Sequence, residues 1–321
     1  MTYLITGSAG HLGEALMRTL QAAGTPARGL DVLPSPFTTH VGSIADRAFV
    51  RGAMAGVSAV IHAATLHKPH VATHSRQAFV DVNVTGTLTL LEAAVEARVR
   101  AFVYTSTTSA FGSALSPAPG EPAAWITEDV TPVPRNIYGV TKVAAESLCE
   151  LFHRDQGLPV IVLRTSRFFP EEDDVVSVAQ AYETANAQAN ELLYRRADIE
   201  DVVGAHLLAA EKAGEIGFGR YILSATTPFG RDHLAELRAD APAVVRRLFP
   251  DFEALYAARG WTLFPSLDRV YINDRARATL GWAPKYDFRH VLDCLATGDD
   301  FRSELARAVG VKGYHRASPP P

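Results

Sequence analysis

Tyr3-Leu4-Ile5-Thr6-Gly7-Ser8-Ala9-Gly10-His11-Leu12-Gly13 stands at the start of the chain, and its reading decides the fold. A short apolar run comes first and a glycine-rich turn interrupts it. Leu12, Leu16 and Leu20 then recur at helical spacing. Glycines in such a turn let the backbone reverse tightly, approach a ligand closely, and seat the helix on the strand. The first N–H groups of that helix have no partner within the helix, so they favour an anion. A tight strand–helix turn would use the same glycines. The position directly after the amino-terminal strand favours the nucleotide reading.

The alternation continues outward from that stretch. Residues 27–31 and 59–62 read as further strands, and 78–98 as a long helix with Val82, Leu90, Leu91 and Val95 along its apolar stripe. Residues 101–104 and 160–163 read as buried strands flanking a helix that starts at Tyr138. Such alternation predicts an α/β fold, a doubly wound parallel sheet of the Rossmann kind with helices on both faces. After Pro170 the rhythm breaks down. Helices at 199–213 and 232–238 and a strand at 221–223 still read as sheet and cover, whereas 169–190 and 242–287 read as a smaller lobe. The expected division is a nucleotide-binding domain at 1–168, its sheet completed by about 191–230. A discontinuous substrate lobe follows from 169–190 and 231–321.

Composition bounds the function. A chain with 47% hydrophobic and 21% charged residues is that of an ordinary soluble globular protein. The formal charge of -4, with no basic run, argues against a nucleic-acid partner. Cys149 and Cys294 are too few for a disulfide framework and suit a reducing compartment. A strand at the very start leaves no room for a signal peptide, and no apolar run reads as long enough to span a bilayer. The expectation is a cytoplasmic protein with no membrane partner. No function is legible in the tail Ser318-Pro319-Pro320-Pro321.

Tyr138-Gly139-Val140-Thr141-Lys142 places a phenol and an ammonium on one helix face. Tyrosine titrates near pH ~10, and a fixed positive charge beside it favours the phenolate, which suits Tyr138 to move a proton. The plainer reading is a surface pair sharing a face. Asp31 closes the second strand, where a carboxylate can accept hydrogen bonds from a ribose diol and would repel a 2′-phosphate. That favours NAD over NADP, unless Asp31 only caps a turn. Arg28 falls on a less suitable side of the strand.

Taken in order, these words resemble the extended short-chain dehydrogenase/reductases of the NAD-dependent epimerase/dehydratase family. The resemblance covers most of the first 170 residues. It rests on Gly7, Gly10 and Gly13; Asp31; His62-Ala63-Ala64; Asn83 in Asn-Val-Thr-Gly-Thr; Thr105-Ser106-Thr107; and Tyr138 with Lys142. Leu280-Gly281-Trp282-Ala283-Pro284 is similar to the family at lower specificity. The resemblance implies that Thr107 binds the reacting oxygen, that Tyr138 is the acid/base, and that Lys142 holds the nicotinamide ribose. It also places His62, Ala63 and Ala64 along the cofactor, and Asn83 in the helix leading to the active site. The expected cofactor contacts are therefore Gly7, Gly10, His11, Leu12, Gly13, Asp31, Ser43, Ile44, His62, Ala63, Ala64, Asn83, Thr105, Tyr138 and Lys142. Where the family carries an Asp after the third strand, this chain has Ser43, with Asp46 as a substitute nearby.

The departures bear on the reaction. Family dehydratases place Asp-Glu directly after the catalytic Thr, and decarboxylases a Glu in the same segment; here Thr107 precedes Thr108, Ser109 and Ala110. Dehydration of a nucleotide sugar is therefore not expected. The family's Asn-x-Tyr-Gly-Pro is replaced by Ser166-Arg167-Phe168-Phe169-Pro170, followed by an acidic run at 171–174. Arg167 suits a carboxylate or phosphate on a smaller substrate, or else an ion pair with the acidic run. Arg195, Arg196 and the 199–201 stretch read as a structural ion network.

His62, His67, His70 and His74 admit a metal reading by spacing, but Pro69 interrupts them and the chemistry of Tyr138 needs no metal. His67, Lys68 and His70 read instead as rim residues over a substrate, and no metal is expected. The expected substrate contacts are Thr107, Thr108, Arg167 and His67. The resulting reading is NAD-dependent hydride transfer at a secondary alcohol or carbonyl of a small sugar, sugar acid or hydroxy compound. The alternatives are a sugar 4-epimerase that retains its NAD, and a non-catalytic NAD-binding protein. A homodimer through helices 78–98 and 138–154 is expected from the family.

Overall fold

The computed structural model describes residues 1–170 and 176–313, so the acidic run and the proline tail lie outside the described residues. The strands are β1 (Tyr3–Thr6), β2 (Ala27–Asp31), β3 (His40–Val41), β4 (Ala59–His62), β5 (Ala101–Thr107), β6 (Ala124–Ile126), β7 (Val160–Thr165), β8 (Phe218–Leu223) and β9 (Arg269–Tyr271). Seven of them form one sheet in the order β3-β2-β1-β4-β5-β7-β8, every neighbour parallel. The strand order reverses between β1 and β4. Thr6 pairs with both Leu30 and His62 there, which leaves a crevice at the carboxyl ends of the strands.

Burial on both faces explains why these strands read as continuous apolar runs. Successive side chains point to opposite faces. Ile5, Ile61, Val103 and Ile161 pack against α1 (His11–Ala22) and α8 (Ile199–Ile216). Leu4, Val60, Phe102 and Val162 pack against α2 (Arg47–Ala53), α4 (Gly86–Glu96) and α5 (Ile137–Gln156). The helix expected at 78–98 is Arg76–Glu96, formed by α3 (Arg76–Phe79), a π-turn over Val80–Thr85 and α4. By length and composition it could cross a bilayer, contrary to the sequence expectation, but half of its most apolar window is buried within the fold.

A separate apolar cluster gathers α7 (Thr184–Leu192), α9 (Leu234–Ala239), α10 (Ala241–Leu248), α11 (Phe252–Ala257) and α13 (Phe288–Thr297). α6 (Val176–Ala181) leads into it. Asn186 and Asn190 both donate to the Thr262 carbonyl, and the Tyr256 hydroxyl donates to Asn190, which ties the two sequence segments together. Leu234 and Leu237 belong to this cluster, so the helix expected at 232–238 packs in the lobe rather than over the sheet. The segment 231–321 is not one packing unit. Leu280 of α12 (Asp274–Leu280), Trp282, and Val309 of α14 (Glu304–Val309) join the sheet-side core instead. Trp282 donates to the Asp201 carbonyl, and the Asp201 carboxylate accepts the Lys285 and Tyr286 N–H groups. The 199–201 stretch is thus a backbone anchor for the carboxy-terminal chain. β6 and β9 pair as a small second sheet beside the crevice.

Candidate active site

The glycine turn builds one wall of a cleft of about 390 Å³ at the crevice. Gly7 has φ +75°, and a Cβ there would lie 2.7 Å from the Ala64 nitrogen. A Cβ on Gly13 would lie 2.0 Å from the Gly7 carbonyl oxygen, so only glycine lets α1 sit this close to the turn. No described side chain caps α1, and the residues of its first turn line the cleft. Gly10, His11, Leu12, Asp31, Ser43, Ile44, Ala63, Ala64 and Thr105 line the same cleft. Asp31 also accepts the Ala9 and Leu33 N–H groups at 3.0 and 2.9 Å, so it braces the turn as well as facing the cleft. Asp46 does not substitute for the family's adenine-side acid: it caps α2 by accepting from Ala48 and Phe49. Arg28 donates to the Ala53 and Ala55 carbonyls.

Two expected cofactor contacts lie behind the wall instead of in it. Buried His62 joins Thr6 Oγ1 at 2.8 Å to Thr87 Oγ1 at 3.0 Å. The Thr87 hydroxyl donates to the Asn83 carbonyl and so accepts from Nε2; Nδ1 then accepts from Thr6, whose oxygen takes the Ala64 N–H. Neutral imidazole fits that pattern. Burial, reinforced by the Lys142 charge, pulls the His62 pKa down to about 3. Asn83 is likewise spent internally. It accepts from Thr65 and the Leu66 N–H, and donates to the Leu66 carbonyl and to Thr141. Both residues set the position of the 63–66 loop.

Asn136 caps α5 by accepting the Gly139 N–H, which starts the helix at the right place to bury Tyr138 and Lys142 on one face. Tyr138 lines the cleft and also a second cavity of about 190 Å³ beside it. Burial raises the Tyr138 pKa to about 12, against a hydrogen bond with the Thr107 side chain that lowers it. This differs from the expectation that Lys142 would favour the phenolate. Lys142 is itself buried, its pKa drawn down to about 7 by desolvation against the opposing Glu146 charge. Its Nζ donates to the Thr105 carbonyl at 2.6 Å and lies 4.2 Å from the Tyr104 ring centroid. Helical spacing put the two side chains on one face; burial governs both pKa values.

The second cavity is lined by Thr107, Thr108, Ser109, Tyr138, His67, Lys68, Arg167, Phe168, Phe169, Arg195, Arg269 and Tyr271, among others. It therefore brings together all four expected substrate contacts. Thr107 accepts the Ser109 N–H at 3.0 Å. His67 and Lys68 face this cavity, but His70 faces the cofactor cleft and not the substrate side. The rings of His67, His70 and His74 pack in series at 4.5 and 5.1 Å, and His67 stacks on Phe169. No group of three or more His, Cys, Asp or Glu suited to a metal exists among the described residues.

Buried Glu191 is the residue that sequence reasoning missed. Arg195 and Arg196 each reach it at 2.7 Å, and Arg167 at 3.2 Å. Burial would raise its pKa, but the three guanidiniums outweigh that and hold it at about 2. The cluster aims Arg167 and Arg195 at the cavity. Arg269 and Tyr271 arrive from β9, far along the chain, and carry no local motif.

A doubly wound sheet, a glycine-lined cleft at its reversal point and an adjoining cavity with a shared Tyr138 wall define a dinucleotide-dependent α/β enzyme. The chain belongs to the NAD dependent epimerase/dehydratase family, whose family model matches residues 3–221. Its relatives of the extended short-chain dehydrogenase/reductase type are enzymes that use NAD. Among solved structures it is similar to a short-chain dehydrogenase/reductase superfamily protein from Agrobacterium tumefaciens with bound NAD. Identity is 26%, coverage 96% of this chain and 97% of that one, and the TM-score 0.67. It shares the fold of a UDP-glucose 4-epimerase from Thermotoga maritima at 21% identity, 92% and 98% coverage and a TM-score of 0.63. A dTDP-glucose 4,6-dehydratase from Streptomyces griseus is 33% identical over 196 residues, 53% of this chain and 56% of that protein. The uncharacterised protein y4nG of Sinorhizobium fredii is 32% identical over 168 residues, 51% of this chain and 40% of that protein. The chain spans about half the length of the curated relatives it matches.

Proposed function

We propose that the protein is a dehydrogenase that interconverts a secondary alcohol and a carbonyl on a small sugar acid or related hydroxy acid, with NAD in the glycine-lined cleft. The observation that carries this reading is Tyr138, which walls both cavities and lines the second of them together with Thr107. The cleft suits the cofactor: the α1 N–H groups and close-packed glycines fit a pyrophosphate, and Asp31 fits an unphosphorylated ribose diol. When bound there, NAD supplies the acceptor for a hydride from the carbinol carbon.

The side chains supply the rest. The Tyr138 oxygen takes the hydroxyl proton as the alcohol becomes a carbonyl, and returns it in the reverse direction. Thr107 hydrogen-bonds the same substrate oxygen and fixes its direction relative to Tyr138. Lys142, one turn on, would hold the nicotinamide ribose, and in its charged form it raises the local positive potential. The neutral phenol expected at pH 7 suits reduction as the proton donor; oxidation gains as pH rises toward the Tyr138 pKa.

Substrate class follows from the lining charges. Lys68, Arg167, Arg195 and Arg269 face the second cavity, and no Asp or Glu is among its described lining residues. Glu191 pairs with Arg167 and Arg195, and Asp268 with Arg269, yet the described basic groups at the cavity still outnumber these carboxylates, which supports an anionic substrate. Thr108 and Ser109 stand where a dehydratase would need carboxylates, which speaks against dehydration despite the Streptomyces relative. Free Cys149 and Cys294 suit a reducing, cytoplasmic setting.

The test is NADH formation by the purified protein over a panel of neutral sugars, uronic and aldonic acids and small hydroxy acids. Acids should outpace their neutral counterparts. Conversion of a sugar to its epimer without net NADH would replace this reading with the epimerase one. NAD binding with no turnover of any kind would favour the non-catalytic alternative.

A further inference from the structure

Lys312 enters the cofactor cleft from the far end of the chain, where it lines the wall beside Gly10, His11 and Gly13. Its ammonium also pairs with the carboxylate of Glu14, a residue 298 positions away in the first turn of α1. We propose that Lys312 is a pyrophosphate-binding residue, delivered by the carboxy-terminal segment to the amino end of α1. This rests on the NAD reading of the cleft given above.

Charge makes the case. Lys142 and Lys312 are the two Lys or Arg residues in the cleft's described lining, and Lys142 lies at the Tyr138 end against the Thr105 carbonyl. At the glycine turn, two phosphate charges would meet the α1 N–H groups and one fixed cation, Lys312. Glu14 complicates that site. Burial opposes its ionisation, but hydrogen bonds and charge from Lys312 and Arg18 prevail and keep its pKa low. An ionised carboxylate in the first turn would repel the incoming anion, and Lys312 lies between the two functions.

The segment is held in place by buried contacts. Asp198 at the start of α8 accepts both the N–H and the hydroxyl of Ser303, and Ser303 in turn caps α14. Val309 at the end of α14 is buried in the sheet-side core. The chain then turns at Gly310, where φ is +62°, a conformation that favours glycine, and Lys312 follows two residues later. A flexible tail would lose most of its binding gain to ordering; a turn anchored on both a buried aspartate and the core loses less.

Calorimetry with NAD, ADP-ribose and adenosine tests the assignment on wild type, Lys312→Ala, Lys312→Arg and the double variant Lys312→Ala/Glu14→Gln. Loss of a charge-assisted contact should weaken NAD and ADP-ribose by about tenfold in Lys312→Ala. Adenosine, which lacks the pyrophosphate, should bind as in wild type, and Lys312→Arg should keep most of the NAD affinity. Unchanged NAD affinity in Lys312→Ala would overturn the inference and leave the cofactor reading intact. Equal weakening of adenosine would show a general structural role and also overturn it. Full recovery in the double variant would reduce Lys312 to a screen for Glu14, again against direct binding. Wild type that binds neither NAD nor ADP-ribose would overturn the cofactor reading itself and the inference with it.

Discussion

Acid should destabilise this fold through two buried imidazoles. His62 lies between two threonine hydroxyls in a pattern that suits the neutral ring, with its pKa pulled to about 3 by burial and the Lys142 charge. His206, buried in α8, bonds Thr105 Oγ1 at 2.9 Å and the Val202 carbonyl at 2.8 Å; burial outweighs that carbonyl and takes its pKa to about 4. Released by unfolding, both titrate near ~6.5. A depressed folded pKa means that the unfolded state binds more protons, so the stability is present above ~6.5 and is lost as pH falls toward the folded values. At about pH 5 each ring should cost roughly 2 kcal/mol relative to about pH 7.5. Asp201 acts in the opposite sense. Burial, against the Tyr286 and Lys285 N–H groups, lifts its pKa to about 6, so it regains roughly 1 kcal/mol over the same descent. Urea unfolding of wild type, His62→Gln and His206→Gln at both pH values isolates each ring, since Asp201 is common to all three and cancels. Each variant should lose about 2 kcal/mol less than wild type on acidification. A His62→Gln protein with the full wild-type loss would refute the assignment of His62 as a neutral buried bridge.

The remaining expectations concern the site and assembly. Tyr138→Phe keeps the ring packing and deletes the proton-carrying oxygen, so turnover should fall about 10²–10⁴-fold while NAD affinity, by calorimetry, holds. Lys142→Ala should impair both turnover and NAD affinity; near wild-type turnover in Tyr138→Phe would reject the active-site reading. Wild type should bind NAD more tightly than NADP, and Asp31→Ser should narrow that gap by relieving repulsion of the 2′-phosphate; tighter NADP binding by wild type would contradict the role of Asp31. Light scattering at micromolar concentration should show a homodimer, with α5 presenting exposed Val140 and Leu151 to a second copy, and a clean monomer would count against it.

Local interactions explain what was legible in the sequence. The strand–glycine–helix order of the first thirteen residues needs only neighbours: β propensity, the φ of Gly7 at +75°, and the apolar spacing of Leu12, Leu16 and Leu20. Tyr138 and Lys142 share a face because helical periodicity places them so, once Asn136 has capped the first turn. Asp31 sits at a strand end, and that too is a local fact. Alternating buried runs then imply a parallel sheet, because only a sheet covered on both faces hides such strands from water.

Tertiary structure alone decided the rest, because those properties arise between positions remote in sequence or from burial, which no residue carries by itself. His62 reads as a cofactor neighbour, yet its two ring nitrogens are taken by Thr6 and Thr87 once β1, β4 and α4 meet. The Tyr138 pKa follows desolvation more than the nearby ammonium, and desolvation is a property of the packed interior. Glu191 looks like any helix carboxylate until three guanidiniums converge on it, and Arg269 faces the same cavity only because β9 pairs with β6. Lys312 gains a place beside the glycine turn through α14 packing against α1, a contact that closes nearly the whole length of the chain. Sequence determined the elements and the helix-borne pair; the packed fold decided which charges face the two cavities and which polar groups are consumed in holding them open.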